Sequence, residues 1–326
     1  MFNKKSTWIT VVIISLLLGV TAYKIFPKAF PILNIKLEMS RDDANNLALQ
    51  LSKKYSIGPV DNFQVSTFGV DGKAQNFIEL DQGGSKKFIE ILDNKYYEGY
   101  SWKVRHYEPG NVNEAWFTFT PEGKIYGFHE TLSDDLFIDN LNQDQALSFA
   151  ISESNNNWNV NLSNYELVEK SQDKKPSNRI DHTFVYKRND IDLGEGEYRL
   201  KLTVSGNKLT QVEHFIKIPE TFNRKYEEMR SFNNTIANTA SYALYILYFL
   251  GGVVGGLFIL NRQRWLLWKT GIYWGIFIAS VMLLSGLNFL PLSWLSYDTA
   301  VSVQNFMLQN ILFSLINFIV MVVGQK

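Results

Sequence analysis

Hydrophobic residues along this chain follow two regimes: long unbroken apolar runs near both ends, and alternating or helix-periodic patterns between them. Four runs stand out. Trp8 to about Phe26 follows Lys4 and Lys5 and, as a helix of roughly 30 Å, is long enough to cross a bilayer. Ile236 to Leu260 holds about 25 residues without a charge. Trp265 to Leu287 carries Lys269 near its start, where a long side chain reaches back to the headgroups. Phe306 to Val323 contains Gln309, Asn310 and Asn317, which point to a face turned towards other helices. The pattern predicts an integral membrane protein with about four transmembrane helices.

The middle block shows the periodicities of a folded α+β domain. Ser40 to Asp43 resembles a helix cap, and Ala44, Leu47, Ala48, Leu51 and Tyr55 recur on one helical face. Extended stretches follow at Ser101 to Glu108, Ala115 to Thr120 and Lys124 to Glu130, the last two joined by a Pro-Glu-Gly turn. The order then repeats: Asn142 caps a helix with Ala146, Phe149 and Ala150, followed by strands at Thr183 to Lys187, Tyr198 to Val204 and Lys208 to Ile218. Trp116 to Thr120 before Gly123 aligns with Arg199 to Thr203 before Gly206, so two related lobes are expected. Each reads as a helix packed on an antiparallel sheet, an arrangement that resembles PepSY-type modules. The expected organisation is an N-terminal anchor at 7–26, lobes at 38–138 and 139–220, a juxtamembrane helix at 221–235, and a three-helix membrane region at 236–326.

Charge refines this picture. Lysine and arginine total 32, as do aspartate and glutamate, but the block from about Tyr23 to Thr235 carries a net charge of about −5 and is a poor nucleic-acid binder. Arg262 and Arg264 lie in the turn between the second and third runs, whereas the loop from Asn288 to Asn305 has Asp298 and no base. The positive-inside rule then puts both termini in the cytoplasm and residues 27–235 on the far side of the membrane, although Lys24 and Lys28 nearly offset Lys4 and Lys5. The first run is expected to stay as an anchor; the alternative is a signal peptide cut after Val20-Thr21-Ala22. There is no cysteine, so disulfides and thiolate metal sites are excluded.

Candidate chemistry is sparse, and no catalytic, metal or cofactor site is assigned. His106, His129, His182 and His214 all lie in the middle block, and His129-Glu130 lacks the second histidine of a zinc-protease HExxH motif. Gly194 and Gly196 fit a turn better than a phosphate cradle. Two features invite a binding role. Gly251, Gly252, Gly255 and Gly256 offer a helix-packing face, used within the chain or in a dimer. Tyr96, Tyr97, Tyr100 and Trp102 form an aromatic stretch suited to gripping an extended polypeptide through edge-strand addition; the alternative is an ordinary half-buried strand.

Several segments carry a family resemblance: Asp181 to Tyr186, Leu193 to Leu200, Lys217 to Tyr226 leading to Asn234, Leu290 to Trp294, and Tyr297 to Ala300. Together they look like the extracytoplasmic and first transmembrane region of large bacterial CPBP-family proteins, intramembrane metalloproteases related to CAAX-processing enzymes. The resemblance implies a catalytic core with EExxxR, FxxxH and HxxxN or HxxxD motifs. Here Glu227-Glu228 is followed too soon by Arg230, and no histidine has phenylalanine four residues before it, so no residue inherits a catalytic role. The expected function is therefore a non-catalytic, membrane-tethered sensing or substrate-presenting module, partnered by the lipid bilayer and by a protease core or protein substrate. One alternative is a fragment of an active protease whose core lies past Lys326; another is a structural envelope protein that binds neighbours through its sheet edges.

Overall fold

The computed structural model describes residues 5–30, 32, 35–265 and 268–324 of the chain; Lys4 and Lys326 lie outside the described residues, as do two positions early in the third apolar run. The chain divides into two compact units. One holds residues 1–60, 66–105 and 115–217, and the other holds 61–65, 106–114 and 218–326.

In chain order the elements are α1 (Lys5–Ala29), α2 (Arg41–Tyr55), β1 (Phe63–Val70), α3 (Gly72–Asp81), α4 (Gly84–Asp93), β2 (Tyr100–Tyr107), β3 (Glu114–Phe119) and β4 (Ile125–Thr131). Then come α5 (Gln143–Trp158), β5 (Tyr165–Lys174), β6 (Ile180–Arg188), β7 (Glu197–Ser205) and β8 (Lys208–Lys217). The eight strands form one antiparallel sheet in the order β1-β2-β3-β4-β8-β7-β6-β5. The two expected lobes thus do not stand apart. Each repeat is a helix followed by a four-stranded meander, and the last strands of both pair with each other, Phe128 opposite Val212 and His129 opposite Gln211.

The repeat is plainest in its helices. Both α2 and α5 start with a reciprocal capping box, Ser40 with Asp43 and Asn142 with Gln145, which satisfies amide groups that the first turn leaves bare. Both turn alanines four apart onto the sheet, Ala44 and Ala48 in one and Ala146 and Ala150 in the other, all fully buried. A small side chain at i and i+4 lets a helix sit close to the strands beneath it. Both end in a left-handed residue, Ser56 and Asn159, after which Ile57 and Val160 return their N–H groups to the buried Ser52 and Ser154. Against these helices alternate strand residues build one core, with Phe117, Phe119, Phe128, Phe184, Leu200 and Leu202 at its centre.

Two contacts fasten the seam between the repeats. Glu130 on β4 accepts the Gly58 N–H at 2.8 Å and the Lys208 ammonium at 2.9 Å, tying the end of α2 to both central strands. Gly127 lies where a Cβ would sit 2.3 Å from the Val212 carbonyl oxygen, so β4 approaches β8 at a distance only glycine allows. The first repeat also carries α3 and α4 between its first two strands, and Phe77 of α3 packs against Gly196 in the β6–β7 connection. That packing makes the Leu193–Gly196 segment a structural turn.

The second unit contains α6 (Glu220–Ile246), a π-helical stretch (Leu247–Gly255) and α7 (Gly256–Arg262), which form one helical run of 43 residues, then α8 (Trp268–Ser293) and α9 (Val303–Gly324). Among the described residues three helices are long and apolar enough to cross a membrane: Thr7–Phe26, Glu220–Arg262 and Lys269–Ser296. Gly286 of α8 meets Ser314 of α9, with 3.2 Å between the serine hydroxyl and a Cβ built at the glycine. Asn310 donates its amide to the Phe306 carbonyl of its own helix, and Gln309 and Asn317 stay exposed, so none of the three polar residues bridges to another helix through a described hydrogen bond.

The seam contact yields a stability prediction. Gly127→Ala should destabilise the sheet domain by about 2 kcal/mol, because a backbone carbonyl has to move, whereas Gly69→Ala on edge strand β1 should stay within about 0.5 kcal/mol. Unfolding midpoints of the two purified variants check this; equal midpoints contradict it.

Candidate functional site

The seam continues into a polar cluster on the helix-covered face. Two residues past Phe128 and Val212, Tyr126 and His214 stack across the β4–β8 junction with ring centroids 4.5 Å apart. Tyr198 on β7 bridges them, its hydroxyl 3.2 Å from the Tyr126 hydroxyl and 2.7 Å from His214 Nδ1. Tyr165 on β5 is directly opposite Arg188 on β6. The Arg188 guanidinium lies over the rings of Tyr96, Tyr165 and Tyr198 at 5.9, 5.9 and 5.5 Å. Asp190 accepts from its Nε at 2.7 Å, and the Tyr96 carbonyl accepts from another of its nitrogens at 3.1 Å. Tyr97 meets Tyr198 edge-on and donates to Asp71 at 2.6 Å, while the Glu98 N–H donates to Tyr126 at 3.4 Å.

These groups separate two open cavities. One, of about 420 Å³, is bordered by Asp71, Tyr97, Trp116 and Thr118. The other, of about 360 Å³, runs past the C-terminal end of α5 and is bordered by Tyr96, Asn159, Asn161, Asn164, Tyr165 and Arg188. Glu98, Tyr126 and His214 face both. Tyr126 and His214 lie deep in the protein yet keep some contact with cavity solvent, whereas Tyr198 is only 2% exposed.

Burial sets the protonation states. It raises the Tyr126 and Tyr165 hydroxyls above the usual phenol range and the Tyr97 and Tyr198 hydroxyls well above it. Burial, reinforced by the Arg188 charge, lowers His214 to about 3. It also raises the Glu98 carboxyl, with the nearby Glu122 charge adding to the shift. Neutral phenols and a neutral imidazole therefore surround one paired guanidinium. The phenol and imidazole pKa values are pushed away from neutrality, which makes these rings poor proton-transfer groups near pH 7 and a good fixed array of hydrogen-bonding and aromatic groups.

The structure sorts the residues singled out from sequence. Tyr97, Tyr100 and Trp102 are 5, 5 and 6% exposed, and β2 is covered along its outer edge by β1. Gripping a peptide by edge-strand addition at β2 is thus ruled out, since β2 has no free edge and three of the four rings pack inside. Tyr96 alone of the four borders a cavity of this cluster while half-buried. Gly251, Gly252, Gly255 and Gly256 fall on the π-helical stretch and the start of α7; Cβ atoms at Gly251 and Gly256 would meet nothing within 4 Å, and at Gly252 and Gly255 the nearest atoms belong to Tyr248 and Leu250 of the same run. Among the described residues, then, no neighbouring helix packs on the glycines. The histidines stay apart: His106 contacts Gln64, His182 contacts the Leu141 carbonyl, His129 is exposed, and no group of three or more His, Asp or Glu among the described residues is placed to hold a metal ion. Tyr126, Tyr165, Arg188 and Tyr198 were not singled out by sequence, and His214 was weighed there only among the four histidines as a metal ligand.

No family model, curated protein or solved structure matches the chain.

The lowered imidazoles predict an acid-sensitive fold. His214 at about 3 and His106 at about 4 refuse protons that the unfolded chain binds at about 6.5. Their contribution is therefore intact above roughly pH 6.5 and declines steadily as pH falls from there towards 4. His214→Phe, which keeps the stacked ring, should reduce the slope of stability against pH between 6 and 5 to about half. Melting temperatures across that range provide the check, and an unchanged slope contradicts the assignment.

Proposed function

We propose that this chain is a membrane-tethered sensing or substrate-presenting module that holds a polypeptide segment in the cleft beside Tyr96, Tyr126, Tyr165 and Tyr198. In this reading it corresponds to the non-catalytic front portion of a CPBP-type membrane protease, with two PepSY-like repeats outside a bacterial inner membrane. Both termini are cytoplasmic, and α9 supplies a fourth span beside the three apolar helices.

One observation carries the reading. The 360 Å³ cleft combines stacked aromatic faces with the side-chain amides of Asn159, Asn161 and Asn164 and a paired arginine, a surface suited to peptide groups and poorly suited to proton-transfer chemistry. His214, which faces the cleft, lies on the strand that ends at Lys217, and α6 starts at Glu220. Only Ile218 and Pro219 separate the cleft strand from the helical run that contains the second candidate span.

A photoreactive residue at Lys124, on the exposed rim of this cleft, tests the proposal in cells expressing the full chain. The expected result is adducts with a protein substrate or a membrane metalloprotease that also co-purifies in mild detergent. Asn161→Trp, which fills the cleft, should reduce adduct yield roughly tenfold, the equivalent of about 1.4 kcal/mol of binding. Reproducible absence of adducts and of any protease partner contradicts the proposal.

A further inference from the structure

The second unit holds a cavity of a different character. Val65, Tyr107 and Tyr297 are buried together, with Trp294 and Phe306 packed against them. The Tyr297 ring is 5.6 Å from Tyr107, 5.1 Å from Trp294 and 4.9 Å from Phe306, and the Gly110 N–H donates to the Thr299 carbonyl at 2.8 Å. Beside this aromatic knot lies a space of about 530 Å³ walled by Phe63, Tyr107, Leu287, Leu290, Pro291 and Trp294.

We propose that this cavity takes the acyl chain of a bilayer phospholipid. Its size is that of a small-molecule site. No charged residue borders it, and the amide of Gln64, one of its few polar groups, is engaged by the His106 ring at 2.6 Å, so the lining offers hydrocarbon contact and little to a headgroup. One wall, Leu287 to Pro291, is part of the Lys269–Ser296 helix, which is apolar and long enough to span. Trp294 and Tyr297 follow at the end of that helix, where aromatic side chains mark the boundary between hydrocarbon and water. The cavity wall is therefore continuous with the surface that the bilayer solvates, and the apolar ligand resident there is a lipid tail. The inference rests on the membrane location proposed above and is independent of the peptide cleft.

The test uses the full chain in nanodiscs of phosphatidylcholine bearing a diazirine midway along one acyl chain, with adducts mapped by mass spectrometry. Adducts are expected on peptides covering 63–65 and 107–109, which lie outside every apolar run, as well as on Thr7–Phe26. Leu290→Trp, or Val303→Phe should the first variant fail to fold, fills the space and should lower labelling of the two short segments roughly tenfold, about 1.4 kcal/mol of lost contact, without changing α1. Label on α1 but not on 63–65 or 107–109 overturns the lipid site and leaves the membrane reading standing; absence of label from both removes both. Labelling of these segments only by a headgroup probe, or only by a photoreactive apolar peptide, also overturns the proposal.

Discussion

At the centre of the sheet a bare Cα faces a carbonyl: Gly127 on β4 meets the oxygen of Val212 on β8 with no room for a side chain. This close approach lets the final strands of two repeats hydrogen-bond and merges their cores into one. Left unpaired, β4 and β8 would each present a row of unsatisfied backbone groups, a template for aggregation. Pairing them leaves β1 and β5 as the sheet's edges. The β5 edge is exposed and carries Glu166, Glu169, Lys170, Asp173 and Lys174, a distribution of charge that discourages pairing with another chain.

The candidate site follows from the same pairing. Tyr126 comes from the first repeat and His214 from the second, and they stack only because the seam holds β4 and β8 in register. Tyr198 then ties the pair to β7, and Arg188 extends the cluster to Tyr165 and to Tyr96 in the loop before β2. Because β8 is both the seam strand and the last strand before α6, the site and the helical run share one short stretch of chain. Weakening the seam should therefore disturb the cleft first.

Local signals made much of this legible. The capping residues Ser40 and Asn142 start their helices as expected, and the Pro-Glu-Gly and Ser-Gly-Asn turns join β3 to β4 and β7 to β8. The pattern gave no assignment to β5, because an exposed edge strand such as Glu166 to Lys174 lacks the alternation that burial on one face imposes. It passed over α3 and α4, each ten residues long and set between two strands, although Phe88 and Ile91 of α4 lie three apart on its buried face. The aromatic stretch from Tyr96 to Trp102 fitted both a peptide-gripping edge and an ordinary half-buried strand, because its sequence carries no sign of the β1 strand that covers it. The Tyr126–His214 pair was hidden for a related reason: it depends on pairing between strands from different repeats, and neither residue stands in a recognisable spacing with the other.

Which side of the membrane the sheet domain occupies decides whether it can sense or present anything outside the cell. The chain contains no cysteine, so single-cysteine variants report topology without background. Lys86→Cys lies on the exposed face of α4 and Gln263→Cys in the turn between the second and third apolar helices. In intact spheroplasts a membrane-impermeant maleimide should label Lys86→Cys fully and leave Gln263→Cys unlabelled until the membrane is permeabilised. Labelling in the opposite order, or of neither before permeabilisation, contradicts an outward-facing domain.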